Sequence, residues 1–123
     1  HENIKNMKAF FSTINWADLL FVWEPRGKNW TDPLIKGLCE ELNITHAVDP
    51  FASNPTYIAK DTAYLRLHGS PPSKKMYQYT YSDDDLHRLK DILQTINAKN
   101  CYLFFNNISM KEDALRFQKL MQL

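Results

Sequence analysis

The chain has 123 residues, of which 44% are hydrophobic and 13% aromatic, and this composition indicates one folded domain rather than a disordered segment. Fifteen basic and fourteen acidic residues leave a formal net charge of +1, so no long-range field gathers nucleic acid or an anionic membrane. No apolar run approaches the ~18 residues that cross a bilayer, and the first residues lack a signal-peptide core. We therefore expect a soluble, cytoplasmic protein without a membrane partner, for which nucleic acid is an unfavoured ligand.

The first elements are predicted from hydrophobic spacing. Apolar residues from Ile4 to Ile14 recur mainly every three or four positions, which indicates a helix that buries one stripe. The following run, DLLFVWE (18–24), is nearly continuous in apolar residues, as in a parallel strand covered on both faces, although a buried helix segment gives the same pattern. A second helix is predicted from Thr31 or Asp32 as cap, through Pro33 in the first turn, to Asn43.

The middle of the chain alternates strands with loops. THAVDPF (45–51) predicts a second strand, and the turn-rich connection that follows it has no convincing helix. YLRLHG (64–69) predicts a third strand, in which Tyr64, Arg66 and His68 share one face and Leu65 and Leu67 the other.

The last third repeats the strand and helix pattern. Ser82 is a predicted cap of a helix that continues to Ile96, and its first turn carries three carboxylates that suit the helix dipole. CYLFF (101–105) predicts a fourth strand, and residues 111–123 predict an amphipathic helix.

This order of elements predicts an α/β fold of parallel βα units. Strands that follow one another after about 20 to 40 residues require right-handed crossovers, which place them in a parallel sheet. Four strands with covering helices make up about half of a TIM (β/α)8 barrel, which typically takes ~250 residues. We therefore interpret residues 1–123 as a single βα-repeat domain with the size of a half-barrel.

Five motifs, in a fixed order, carry a family resemblance: FVWEPRGKNW, HAVDPF, AYLRLHG, YQYTYSDDDL and CYLFFNN. In this combination the chain resembles the YecE-like family, also called domain of unknown function 72, from about Leu20 to Leu123. The family's TIM-barrel-like proteins carry such motifs in their C-terminal half. The resemblance therefore implies a C-terminal half-barrel fragment without its N-terminal half, and it implies no settled activity. Gly27 departs from the pattern, because many relatives have a histidine there.

Polar residues at the carboxyl ends of parallel strands form the sites of such barrels, because the loops there open a concave mouth. The candidates are Glu24, Arg26, Asp49, Arg66, His68, Asn106 and Asn107. As an enzyme, the chain would act on a small anionic or phosphorylated substrate. Arginine forks would bind the anion, the amides of Asn106 and Asn107 would fix polar groups, and Glu24, His68 and Asp49 would be the catalytic acid–base candidates.

Other interpretations of these residues stay open. A structural ion pair between Glu24 and Arg66 explains both charges equally well, since buried charges must be paired whatever their function. We expect no metal, because the arginines would repel a cation and because alternation places His46 on the face opposite Asp49. No cofactor is implied, because the chain lacks a glycine-rich phosphate loop.

The tyrosines near residue 80 suggest a second class of function. Tyr77, Tyr79 and Tyr81 could stack on a sugar or base in a non-catalytic module that binds an anionic ligand or single-stranded nucleic acid, while packing of the loop on the barrel rim is the simpler explanation. Four strands cut from a barrel also leave two unpaired edges and an apolar face. We therefore expect the chain to self-associate or to pair with a missing N-terminal half.

Overall fold

The computed structural model describes residues 2–16, 18–69 and 76–122. In these residues, parallel strands alternate with helices in the order predicted from the sequence, which confirms an α/β domain of parallel strands and helices. The elements are α1 (Glu2–Thr13), β1 (Val22–Trp23), α2 (Asp32–Leu42), β2 (Thr45–His46), β3 (Thr62–Leu67), α3 (Asp83–Thr95), β4 (Asn100–Phe105) and α4 (Met110–Met121). Short 3₁₀ turns lie at Ala59–Asp61 and Met76–Gln78. The predicted end of the last helix, Leu123, lies outside the described residues.

The strands are neighbours in chain order. β1 pairs in parallel with β2, and β3 pairs in parallel with β4 along its whole length, from Thr62 opposite Asn100 to Leu67 opposite Phe105. A parallel bridge between Val48 and Leu65 connects the two pairs, where the Arg66 N–H donates to the Val48 carbonyl at 2.9 Å. β1 and β2 are shorter than the apolar runs that predicted them, since only two residues of each complete the ladder.

Helix boundaries follow local chemistry. The Ser82 hydroxyl accepts from the Asp85 N–H while the Asp85 carboxylate accepts from the Ser82 N–H, which is a complete capping box at the start of α3. At α2, Thr31 is the N-cap residue without a side-chain hydrogen bond, and Asn43 ends the helix in the left-handed conformation. The predicted cap positions are therefore confirmed at both helices.

Two hydrophobic clusters lie between the sheet and its helices. Leu67 packs with Tyr81, Leu86, Leu89 and Phe117 below α3 and α4. The second cluster is formed by Ile35, Cys39 and Ile44 and is covered in part by Met7 and Phe11 of α1. No residue of α1 is fully buried, so the predicted stripe of this helix covers the cluster without entering the core.

The opposite face of the sheet is apolar and open. Tyr64 lies against Phe104 with a ring-centroid distance of 4.9 Å, and Tyr102 stacks on Phe104 at 6.5 Å. Tyr102 is 56% exposed, Phe104 43% and Val22 36%. These four residues, with Leu20 and Thr62, line an open depression, which we call the open sheet face. Among the described residues, no helix has the length and apolar content that crossing a membrane requires.

Candidate functional site

Three basic side chains contact the carboxylate of Glu24, which lies directly after β1. Its Oε2 accepts from Arg66 Nη1 at 2.7 Å and from Arg26 Nη2 at 3.4 Å, and its Oε1 lies 2.7 Å from His68 Nε2. Arg66 is at the end of β3 and His68 just beyond it, so two parallel strands deliver these groups at their carboxyl ends. The shared face of Arg66 and His68, predicted from strand alternation, is confirmed, and both side chains meet Glu24 at the strand ends where the candidates were expected to gather. Their functional roles stay predictions.

The surroundings of Glu24 stabilise its carboxylate form. Burial raises the pKa of Glu24, but the hydrogen bond from His68 and the charges of His68, Arg66 and Arg26 outweigh burial and lower it below its usual value. An ionised carboxylate only accepts hydrogen bonds, so His68 Nε2 is the donor in its contact with Glu24. The side chain of Glu24 is 19% exposed and that of His68 is 7% exposed, which shields both groups from bulk water.

Arg26 lies at the outer edge of this group and is 60% exposed. Its pKa is raised, first by a hydrogen bond with Tyr77 and then by the charge of Glu24. The exposed ring of Tyr77 also meets His68 edge-on, with 5.6 Å between the ring centroids. Tyr77 is one of the three alternating tyrosines that the sequence offers as stacking residues, and spacing alone does not single it out, because Tyr79 and Tyr81 repeat the same alternation.

Asp49 is connected to this group through the backbone. One carboxylate oxygen accepts from the Phe51 N–H at 2.9 Å and the other from the His68 N–H at 3.0 Å. Asp49 therefore positions the end of β3, and with it His68, from the loop after β2. Its predicted part in acid–base chemistry is not visible in these contacts and stays a prediction.

The two asparagines after β4 point to different places. Asn106 Nδ2 lies 3.5 Å from His68 Nδ1. Asn106 therefore joins Glu24, Arg26, Arg66 and His68 in what we call the Glu24 group. Asn107 is buried and donates to the Tyr79 carbonyl at 2.8 Å and to the Asp113 carboxylate at 2.7 Å. These contacts give Asn107 a structural role, in which it ties the loop after β4 to α4.

The tyrosine pair packs against the protein. Tyr81 is fully buried in the core, and its hydroxyl accepts from the Gly69 N–H at 2.7 Å. Burial raises the pKa of its hydroxyl above the usual value. The Tyr79 hydroxyl donates to Asp85 at 2.6 Å. Of the two explanations that the sequence left open, these contacts favour packing over stacking on a ligand.

A cavity of about 320 Å³ opens beside Glu24 and His68. Arg26, His46 and Asp49 also line it. The sequence predicts His46 and Asp49 on opposite faces of a strand, and the structure lets both line one cavity, because β2 ends at His46 and Asp49 lies in the loop beyond it. Within residues 2–16, 18–69 and 76–122, no three histidine, cysteine or acidic side chains are grouped as metal ligands.

Comparison with solved structures shows the same fold in two bacterial proteins. A DUF72 family protein of Thermotoga maritima superposes with a TM-score of 0.76 at 22% sequence identity, over 100% of this chain and 53% of its own. A DUF72 family protein of Enterococcus faecalis gives a TM-score of 0.74 at 23% identity, over 99% of this chain and 55% of its own. The chain thus spans about half the length of these proteins. A search of curated proteins finds no significant match.

The family model described as "Protein of unknown function DUF72" matches residues 1–123. This match covers the strand ends that carry Glu24, Arg66 and His68, and it agrees with the resemblance drawn from the five sequence motifs. The chain therefore belongs to the DUF72 family.

Proposed function

We propose that the carboxyl ends of these strands bind a small anionic or phosphorylated ligand, with Arg26 and Arg66 as the anion-binding groups. The observation that supports this most directly is the convergence of two guanidinium groups and one imidazole on Glu24, at the edge of a cavity. Guanidinium groups offer planar forks that match carboxylate and phosphate oxygens.

The arginines have donors beyond those that Glu24 uses. Arg66 contacts Glu24 through Nη1 and is 33% exposed, and Arg26 makes only a long contact of 3.4 Å with Glu24 and is mostly exposed. A guanidinium carries five N–H donors, so each arginine can hold Glu24 and an anion at once. Asp49 opposes an anion less than a free carboxylate would, because a backbone N–H caps each of its oxygens.

The same group can move a proton. Glu24 holds the Nε2–H of His68, which leaves Nδ1 of a neutral imidazole as the basic atom, beside Asn106. A carboxylate that holds one ring nitrogen of an imidazole in this way fixes the orientation of the other nitrogen. We therefore favour an enzyme in which His68 is the general base and Glu24 its partner.

A non-catalytic module for an anionic ligand or single-stranded nucleic acid is the second candidate. The exposed ring of Tyr77 beside Arg26 and His68 favours it, because an exposed aromatic ring can stack on a base. Titration of an oligonucleotide at increasing salt separates the two candidates. Nucleic-acid binding must weaken steeply with salt, and an absent or flat response excludes it.

Calorimetric titration with inorganic phosphate, sulfate and a panel of small phosphorylated compounds tests anion binding. Arg66→Lys conserves the charge but removes the planar fork, so we expect about a tenfold loss of affinity for the best anion. Arg88→Lys is the matched control. Arg88 belongs to α3, and its guanidinium lies over the Phe51 ring and not in the Glu24 group. Equal affinity of the wild type and Arg66→Lys, or no anion binding by the wild type, would refute the proposal.

We also propose that the domain is the C-terminal half of a TIM-barrel-like fold and that further βα units cover the open sheet face. The support is the exposure of Tyr102 and Phe104 on this face and the length of the two solved relatives, about twice that of this chain. Without those units, two copies of the chain would cover this face by self-association.

Sedimentation velocity over a range of concentrations tests the assembly. We expect association of the wild type, and we expect a Tyr102→Ser/Phe104→Ser variant to shift towards monomer. Leu115→Ser, at an exposed position on α4, should leave the association unchanged. A wild-type chain that is monomeric at all concentrations and unfolds cooperatively would count against an uncovered half-barrel.

A further inference from the structure

The cavity beside the Glu24 group is lined by more than the strand ends that carry Glu24 and His68. The loop from Glu24 to Gly27 contributes to the lining, and so do residues of the segment between His46 and Ser53. From the sequence, the one role open to His46 is that of a metal ligand. In the structure it is 5% exposed and belongs to the cavity lining together with Glu24 and His68.

The contacts of His46 determine where its ring carries a proton. Nδ1 of His46 lies 3.1 Å from the Thr56 backbone nitrogen and 3.0 Å from the Thr56 hydroxyl. A backbone N–H can only donate, so Nδ1 is an acceptor and is unprotonated. A neutral imidazole has one N–H, and in His46 it must therefore be on Nε2.

The surroundings of His46 also favour the neutral ring. Burial lowers the pKa of His46 below 6.5, while the charges of Asp32 and Glu24 act in the opposite direction without overcoming burial. Protonation would place a hydrogen on Nδ1, against the Thr56 N–H. The geometry and the burial therefore both disfavour the protonated ring. Among the described residues, we find no hydrogen-bond acceptor for Nε2.

We propose that His46 is a specificity residue of this site, which presents a fixed, neutral Nε2–H donor to an oxygen acceptor of the bound ligand. This inference rests on the proposed anion-binding function and adds to it a recognition group without charge. The arginines would bind the ionised part of the ligand. His46 would select ligands that carry a hydroxyl, carbonyl or phosphoryl oxygen within its reach, and it would reject those that place an ammonium group there, because a cation cannot accept a hydrogen bond.

Two substitutions separate the roles of the two ring nitrogens. In His46→Asn, the side-chain oxygen can take the place of Nδ1 and accept from Thr56, but the donor at Nε2 is lost. In His46→Gln, the amide nitrogen reaches the position of Nε2, but the acceptor for Thr56 is lost. We expect His46→Asn to keep most of the stability and to bind inorganic phosphate at least tenfold more weakly. His46→Gln should lose stability and keep most of the affinity.

His87 is the matched control because it is an exposed histidine on α3 whose Nδ1 lies 2.8 Å from the Asp83 carbonyl. A carbonyl only accepts, so Nδ1 of His87 carries a proton, opposite to His46. Long-range ¹H–¹⁵N correlation spectra should show the Nε2–H form for His46 and a protonated Nδ1 for His87. His87→Asn should leave the affinity for phosphate unchanged.

The outcomes distinguish this inference from the function on which it rests. A protonated Nδ1 in His46 overturns the inference whatever the ligand. Equal phosphate affinity of the wild type and His46→Asn overturns it as well, because the donor then has no part in binding. If the wild type binds no anion of the panel, the proposed function fails and the ligand-binding part of the inference fails with it, and the tautomer measurement still decides the state of the ring.

Discussion

Replacing Glu24 by glutamine tests whether this carboxylate organises the site. The substitution keeps the shape of the side chain and one acceptor oxygen, but it removes the charge that holds Arg66 and His68 at 2.7 Å each. Hydrogen bonds to charged groups contribute about 1.5–3 kcal/mol each, and the partial exposure of Glu24 and Arg66 places these two at the lower end. Since glutamine retains one weaker bond, we expect the free energy of unfolding at pH 7 to fall by about 2 kcal/mol.

The pH dependence provides an independent check. The pKa of Glu24 is lowered in the folded protein, so its ionisation stabilises the fold above the unfolded value of 4.5, and this contribution is lost as the pH falls through the folded pKa. The stability difference between the wild type and Glu24→Gln should therefore be largest near neutral pH and shrink towards pH 3.

Urea denaturation, followed by tryptophan fluorescence at several pH values, measures both effects. Glu41→Gln is the control, because Glu41 is half exposed in its ion pair with Lys8 and such pairs contribute little. Equal stability of the wild type and Glu24→Gln at pH 7, or a difference that persists undiminished at pH 3, would refute the proposed role of the Glu24 charge.

Three further predictions concern the supporting structure. Leu67→Ala should lower the free energy of unfolding by about 2 to 5 kcal/mol through a cavity in the core, whereas Leu115→Ala at an exposed position should change it little, as chemical denaturation will show. Ser82→Ala removes the capping box of α3 and should cost about 1 kcal/mol in the same assay, and Ser82→Asp, which restores an acceptor, should recover most of it. Gly69→Ala should destabilise by more than ~1 kcal/mol, because Gly69 has φ of +101° and an added Cβ would overlap the Met76 carbonyl. A thermal midpoint of Gly69→Ala equal to that of the wild type would show that this turn can rearrange freely.

Local chemistry was enough to predict the elements and one face of the site. The cap at Ser82, the end of α2 at Asn43 and the order of strands and helices all follow from short-range patterns that the structure confirms. The side-chain period of a strand also placed Arg66 and His68 together, since β3 is a regular strand up to Leu67.

Only the tertiary structure decided how residues beyond the strand ends are used. The sequence placed His68 and Glu24 at one edge of the sheet, but the fold decided that Nε2 is the ring nitrogen of His68 that meets Glu24, across 44 positions of the chain. Asn106 and Asn107 are adjacent, yet one approaches His68 and the other is buried with Asp113. Periodicity stops where the strands stop, and from there packing, backbone hydrogen bonds and the contacts of distant segments set the direction of each side chain. His46 shows this most clearly, because Thr56, from the loop after β2, determines which nitrogen of its ring carries the proton.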